Sequence, residues 1–375
     1  ALAGYSAPET NEVYERLRHL LHGAAPSMAS AMALGGLVMS DGLRARSGQA
    51  IAGAEALLGV GGELGVPPVQ ALAHLLLGWM LLMTARLAEA ERHLDAALEL
   101  YDPAWDPTLT ATSGVHLRSN ALAWRALLRA MAGRLEGSRV DSAGSIEVAR
   151  RAGFPFSLVF ALAVGGCATL VHLGDGRRVV ELADEVAAIA RREGFASYRA
   201  ISGYYRGVGL ALSGTSRGVP EAMEDGISGW LALGTEAFVG WFRSIQAEQL
   251  VAAGEFDRAA EVIRDVEQSW LPREERVAEQ TLPIATAALQ RARGDDAAAE
   301  ATLRAAIPVT ERFGFRGALL RQSTALARLL LDRGSAAEAC AVLDPVLASF
   351  GAEPDSRYLR EARDVLRRAR CPEQP

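Results

Sequence analysis

Arginine recurs at fixed distances ahead of a series of glycines. Fifteen residues before Gly133 and Gly214 stand Arg118 and Arg199, with Glu279 in the matching place before Gly294. Eight residues before Gly133, Gly214 and Gly254 stand Arg125, Arg206 and Gln246. Seven residues separate the two columns, so on a helix they share a face. Arg243 and Trp241 fall near the same slots in the intervening stretch, and Trp124, Tyr204 and Tyr205 lie beside them. A guanidinium is a planar fork of donors that fits carboxylates and phosphates and stacks on aromatic rings. The chemistry this set offers is recognition of acidic groups, on a peptide or an anionic small effector. The same residues can instead satisfy one another, with Arg stacked on the aromatics and paired with Glu248 or Glu279.

Other chemistries find little material. All basic residues other than histidine are Arg and none is Lys, which excludes a phosphate-loop lysine, a Schiff-base lysine and a Ser-Lys dyad. His19 and His22 are three apart and share a helix face, but no HExxH or Glu-x-x-His accompanies them, so the six histidines read as surface or interface residues and no metal is expected. There is no Gly-x-Ser-x-Gly elbow and no Cys-His-Asp set, and no catalytic residue is assigned. Glu274/Glu275 and Asp295/Asp296 fall at turns, where helix N-termini favour negative charge, and read as caps. Cys167, Cys340 and Cys371 are widely spaced and read as small hydrophobic residues in a reducing, cytoplasmic setting. A formal charge of −6 gives no support to nucleic-acid contact. The opening ALAGYSAPETNEVYERLRHLL lacks the pattern of a secretory signal. The apolar stretch from Pro155 to Val171 reads as a buried helix, short of the roughly 20 residues that cross a bilayer.

The glycines that index the arginines carry the architecture. Gly254, Gly294 and Gly334 are forty residues apart, and the slot recurs at Gly214, Gly174 and Gly133, with Ala85 in the same place further upstream. Each follows an apolar run and precedes an amphipathic block such as GEFDRAAEVIRDV. Self-similarity at such a period marks stacked helix pairs. Glycine serves at the reversal because it tolerates the left-handed conformation just past a helix end. Five residues later a small residue, Ala90, Ala259, Ala299 or Ala339, lets the two helix axes approach.

The spacing predicts a first helix over 8–22 and two more over 27–60, broken near Arg46–Gly48, with a Gly/Pro connection from Gly59 to Pro68. A pair follows over 69–101. Regular pairs then run 115–132 with 136–152, 156–173 with 177–193, 197–213 with 217–233, 236–253 with 257–270, 276–293 with 297–313 and 317–333 with 336–350. A capping helix over 355–370 closes the array, and the loop over 102–114 is its one long insertion. No stretch alternates as a strand does, so the expected class is all-α: a tetratricopeptide-like α-solenoid of antiparallel helix pairs, one helical-repeat domain over 1–375 with eight to nine pairs.

The motif GEFDRA at 254–259 resembles the tetratricopeptide turn, at a longer period than the usual 34 residues. AERHLDAALELYDP (90–103), ARRAGFPFSLVFALA (149–163), IARREGFASYRAISGYYRGVGLALSG (189–214) and ALARLLLDRGSAAEACAVLDPVLASF (325–350) are similar to the C-terminal repeat region of large bacterial signalling ATPases. Those proteins join a nucleotide-cyclase or winged-helix regulator domain to an AAA-like ATPase and then to these repeats. The resemblance implies a sensing or docking arm that works with an ATPase or regulator domain in cis or in trans. The family's catalytic motifs lie in domains without counterpart in this sequence.

First helices line the concave surface of tetratricopeptide arrays, so the expected site is a groove formed by Arg118, Trp124, Arg125, Arg199, Tyr205, Arg206, Trp241, Arg243, Gln246 and Glu279. The expected function is non-catalytic binding of a partner protein, peptide or effector, with no cofactor, nucleic acid or membrane. The alternative is a small-molecule-binding protein or enzyme whose pocket is enclosed by the concave face and the 102–114 loop. A pure oligomerisation scaffold, suggested by the apolar run at 26–40, is a third.

Overall fold

A computed structural model describes residues 8–21, 23, 25–105, 116–215 and 217–370. Among these residues the chain is all-α, with no strand. The first helices of the pairs are α2 (Met28–Leu43), α4 (Pro67–Met83), α6 (Leu117–Met131), α8 (Pro155–Leu173), α10 (Ala196–Leu212), α12 (Val239–Ala252), α14 (Leu282–Ala292), α16 (Arg316–Asp332) and α18 (Arg357–Arg370). The second helices are α1 (Pro8–Leu21), α3 (Ser47–Leu64), α5 (Leu87–Leu100), α7 (Leu135–Ala152), α9 (Gly176–Glu193), α11 (Val219–Ala232), α13 (Phe256–Asp265), α15 (Asp296–Arg312) and α17 (Ala336–Ala348).

The forty-residue clock is set by backbone conformation. Gly133, Gly174, Gly214, Gly254, Gly294 and Gly334 all have φ between 72° and 90°, the left-handed region in which a Cβ is penalised. Ala85 occupies the same slot at φ 61°, and Ala45, forty residues earlier, holds it at φ 55° without the glycine that marks the others. Ala90, Ala259, Ala299 and Ala339 are fully buried, as close packing of helix on helix requires. The expected Gly/Pro connection begins later than the sequence suggests: α3 runs through Gly59 and Gly62 to Leu64 and ends on Gly65 at φ 63°. Packing of Ala50, Ala54 and Leu57 holds it helical against the propensity of its glycines. In α8, by contrast, Ala161–Ala168 is wound as a π-helix. A Cβ on Gly166 there would meet Leu182 at 2.5 Å, so the glycine admits α9 at close range. The whole helix, Pro155–Leu173, is long and apolar enough to cross a membrane by length and composition, and 67% of its apolar window is buried inside the fold.

One feature goes beyond the pairing of neighbours. The last carbonyls of a helix have no partner within it, and several first helices find theirs about five pairs further on. Leu43 O, ending α2, accepts from Glu236 N at 2.7 Å and Ala237 N at 3.0 Å, just ahead of α12. Met83 O, ending α4, accepts from Arg276 N at 2.8 Å, ahead of α14. Gly317, in the first turn of α16, sits against the carbonyls of Ala130 and Met131 at the end of α6. Tyr358 on α18 donates its hydroxyl to Val171 O in the last turn of α8 at 3.3 Å. The inner helix of one superhelical turn therefore starts where the inner helix of the preceding turn stops, and the head-to-tail dipoles attract. Rings of inner helices stack with a narrow seam between them.

Candidate functional site

The seam and the space it encloses hold most of the molecule's unusual polar chemistry. Trp124 on α6 lies between Trp79, 5.3 Å away and nearly parallel, and Phe238, 6.0 Å away and parallel, with Phe160 edge-on. Phe238 comes from the next superhelical turn, so this stack joins the two turns. Phe238 has φ 67°, uncommon for a residue with a side chain, and is held there by Glu275, whose Oε2 accepts its N–H at 3.2 Å. Glu275 is buried and its Oε1 lacks a partner. Burial raises its carboxyl to about 8, against the lowering effects of the Phe238 N–H and Arg273 and with Glu236 adding to the rise. The sequence assigns Glu275 to capping at its own turn. In the structure it caps α12, 37 residues earlier.

Deeper in the seam, Trp241 on α12 stacks on His172 of α8, with ring centres 5.1 Å apart and planes 4° from parallel. Burial, assisted by Arg321, depresses the imidazole to about 3, so His172 is neutral. It is an interior residue, not the surface or interface histidine its isolation in the sequence suggests. Arg321 on α16 donates through Nη2 to both oxygens of Glu248 on α12, at 2.8 and 2.9 Å, and lies 4.9 Å from the centre of the Tyr358 ring. Val171, His172, Trp241, Gln280, Thr281 and Arg321 surround a small cavity.

The ten residues expected in one concave groove go to three places. Trp124, Tyr205, Trp241 and Gln246 are at most 5% exposed and belong to the interior. Arg125, Arg206 and Arg243 turn toward the second helices. Arg125 bonds Asp141 through Nε and Nη2 at 2.8 and 2.7 Å and reaches Asp95 through Nη1 at 2.7 Å, bridging α7 and α5. Arg206 pairs with Asp184 on α9 at 3.0 Å. Arg243 pairs with Glu224 on α11 and donates to Gln246 Oε1 at 2.9 Å, while Gln246 Nε2 donates to Glu224 at 2.9 Å. That network, opposed by burial, holds Glu224 at about 2. Glu279 is half-buried beside Arg276 at 3.3 Å, with its carboxyl raised by burial. Only Arg118 and Arg199 are exposed with no carboxylate partner among the described residues. Arg118 lies 5.8 Å from the centre of Tyr101, and Arg199 lines a cleft of about 480 Å³ between α10 and α11, with Asp225, Gly203 and Gly229.

Of the arginines placed on one face by the seven-residue spacing, Arg125 and Arg206 meet carboxylates of the second helices, as Arg243 does nearby, while Arg118 and Arg199 do not. Spacing fixes which side chains share a face; the direction of that face depends on how the pairs stack. Sequence reading missed Asp141, Glu224, Arg321 and Phe238. The acidic partners carry a signal, since they lie on second helices of the same or the preceding pair. Arg321 and Phe238 act across the seam and carry none.

Among the described residues, no group of three or more His, Cys, Asp or Glu is arranged to hold a metal ion. Cys167 is buried and its thiol is pushed up by burial, which leaves it inert. Most of the 102–114 loop, and His22 and Cys371, lie outside the described residues.

A comparison with protein families finds no match, and a comparison with curated proteins finds none either. Among solved structures, the chain is similar to a Rap protein in complex with competence and sporulation factor. The TM-score is 0.66 at 10% sequence identity, over 94% of this chain and 96% of that one. At that identity the likeness concerns the fold: a tetratricopeptide-like helical-repeat array.

Proposed function

We propose that the chain is a non-catalytic regulatory module that binds a partner protein, a peptide or an anionic effector, and that binding shifts the seam between its superhelical turns. The observation that supports this is the contact of four inner helices, α2, α4, α6 and α8, with those about five pairs away. Layers of a solenoid touch mainly their neighbours, so small angular changes add along the array. A ligand that prefers one pitch of the superhelix shifts the population toward it. The seam makes the two pitches distinct, because it is either closed or open.

The proposed contact surface is the exposed part of the arginine set: Arg118, Arg199 and Arg206, with the cleft between α10 and α11. The other members of the set hold the frame. In the Rap structure, a protein of the same fold is complexed with a factor, which supports a binding role for this one. The resemblance in sequence supports the setting: a bacterial, cytoplasmic signalling or transcriptional regulator, with an AAA-like ATPase or regulator domain in cis or in trans, and a repeat domain extending over the whole of 1–375.

Two measurements test the reading. Partners recovered from a bacterial lysate on the wild-type protein should be lost on a variant carrying Arg118→Glu, Arg199→Glu and Arg206→Glu; an unchanged set removes the surface. Small-angle scattering with and without a recovered partner should show a change in the dimensions of this chain, and unchanged dimensions reduce the function to rigid docking.

A further inference from the structure

We infer that the cavity in the seam is a binding site for one small, neutral hydrogen-bond donor, and that its resident is a single water molecule joining the two superhelical turns. Three buried polar atoms, two on its wall and one on Gln322 next to Arg321, have no partner. They are His172 Nε2, Gln280 Oε1, and Oε1 of Gln322, whose Nε2 is spent on the backbone carbonyls of Glu279 and Gln280. Gln280 is 2% exposed and Gln322 is fully buried, so bulk water does not satisfy them. Orphaned buried polar atoms are rare because each costs the hydrogen bonds it made in water.

The donors at hand do not close the account. Gln280 Nε2 donates to Val277 O, and Arg321 commits only Nη2, to Glu248. Charge decides the class of ligand. Arg321 is paired with Glu248 and His172 is neutral, so the wall carries no net charge to hold a cationic or an anionic ligand, and the unpaired carbonyl oxygens further disfavour an anion. A neutral molecule that both donates and accepts suits the wall. Size decides the rest, since the cavity of about 20 Å³ exceeds the space one water needs, about 10–15 Å³, and admits little more. Water can donate to Gln280 Oε1, donate to or accept from His172 Nε2 according to the ring tautomer, and accept from Arg321 or Thr281.

The site bridges the turns because His172 belongs to α8 in the first, while Gln280, Thr281 and Arg321 belong to the approaches of α14 and α16 in the second. A wet, polar contact separates more readily than a dry apolar one. Any ligand group that reaches the niche must bring a hydroxyl or amide donor to replace the water.

The test is a crystal structure of the protein at a resolution that shows ordered waters. One peak within hydrogen-bond distance of both His172 Nε2 and Gln280 Oε1 is expected. An empty niche, or these side chains turned to partners elsewhere, overturns the inference. In solution, magnetisation transfer from a long-lived water to the His172 ring protons is expected, and its absence counts against the site. Neither result depends on whether the seam opens, which scattering addresses separately.

Discussion

The two ends of the array are attached by different chemistry. At the C-terminal end, α18 buries Leu359, Ala362, Val365, Leu366 and Ala369 against the preceding pair. Its outer face is charged: Arg357 pairs with Glu361 within the helix, Arg360 and Arg363 pair with Asp355 just ahead of it, and Arg370 with Asp344 on α17 and Glu361 with Arg328 on α16 reach the neighbouring helices. It also reaches the first superhelical turn through Tyr358. At the N-terminal end, Val13 on α1 is 65% exposed and Leu20 68%, beside Met28 and Met32 of α2. What fastens α1 is polar: Arg18 Nη2 bonds both oxygens of the buried Asp41 at 2.8 Å, and Arg46 bonds Glu15 at 2.9 Å. Every second helix from α3 to α17 packs between two first helices, whereas among the described residues α1 packs chiefly on α2. The last described helix is sealed by apolar burial; the first carries exposed apolar side chains and is held by ion pairs. Removal of apolar contacts should therefore hurt at one end, and screening or titration at the other.

The largest expected effect is at the cap. Leu366→Asp puts an unpaired charge among Leu330, Leu343 and Leu359, and should cost about 3–5 kcal/mol, enough to unfold the last pairs. Leu20→Asp at the other end should change stability by no more than about 0.5 kcal/mol. Chemical denaturation of both variants compares them directly; equal losses would mean that the two ends are attached alike.

Next comes Arg18→Met. Asp41 is 2% exposed, and without Arg18 the ion pair it keeps among the described residues is Arg46 at 3.8 Å. A buried carboxylate left so poorly paired is expensive, but α1 can undock and let water in, which limits the loss to about 1–3 kcal/mol. Hydrogen exchange should then rise across α1 and the end of α2 and stay unchanged in α18. A global loss of protection would show that α1 is part of the main cooperative unit.

These attachments also show how far the sequence could be read. Fold class, period and most helix ends were legible because left-handed turns demand glycine or a tolerated alanine, and because Leu359, Val365 and Leu366 mark the buried face of α18, whereas the run of α3 to Leu64 and the start of α14 at Leu282 instead of 276 were not. The sites were less legible. Arg125 and Arg243 sit on the expected helix face, yet whether that face meets solvent or Asp141 and Glu224 is a property of the stacking. The seam was invisible, since contacts such as Leu43 with Glu236 or Val171 with Tyr358 depend on the superhelical pitch, a small rotation summed over five pairs that no local pattern encodes.

The seam gives the third prediction. Tyr358→Phe removes the hydroxyl bond to Val171 O and should cost about 0.5–1.5 kcal/mol. Because that bond links α18 to the first turn and not to its own neighbours, exchange should accelerate at the end of α8 while the buried face of α18 stays protected. If α18 frays first, its hold on the first turn adds nothing to the cap.

The smallest effect is in the response of α1 to acid. The Arg46 hydrogen bond, against the opposing effect of burial and with help from Arg18, lowers the Glu15 carboxyl below its ordinary value of 4.5. A carboxyl lowered in the folded state binds its proton more weakly there than in the unfolded chain. Its contribution is therefore complete above about 4.5 and lost as the pH falls through the lowered folded value. Glu15 is 43% exposed and Arg46 38%, so solvent screens the pair and the loss is a fraction of what the same shift would mean for a buried group. Acid should release α1 ahead of the rest, with exchange in residues 12–21 rising at a pH where α18 is still protected, and added salt should raise the pH of release. Glu15→Gln should remove the pH dependence while leaving α1 slightly looser at neutral pH. Release of both ends together, or insensitivity to salt, would place the grip of α1 in the apolar contacts of Tyr14 and Leu17 instead of in its charges.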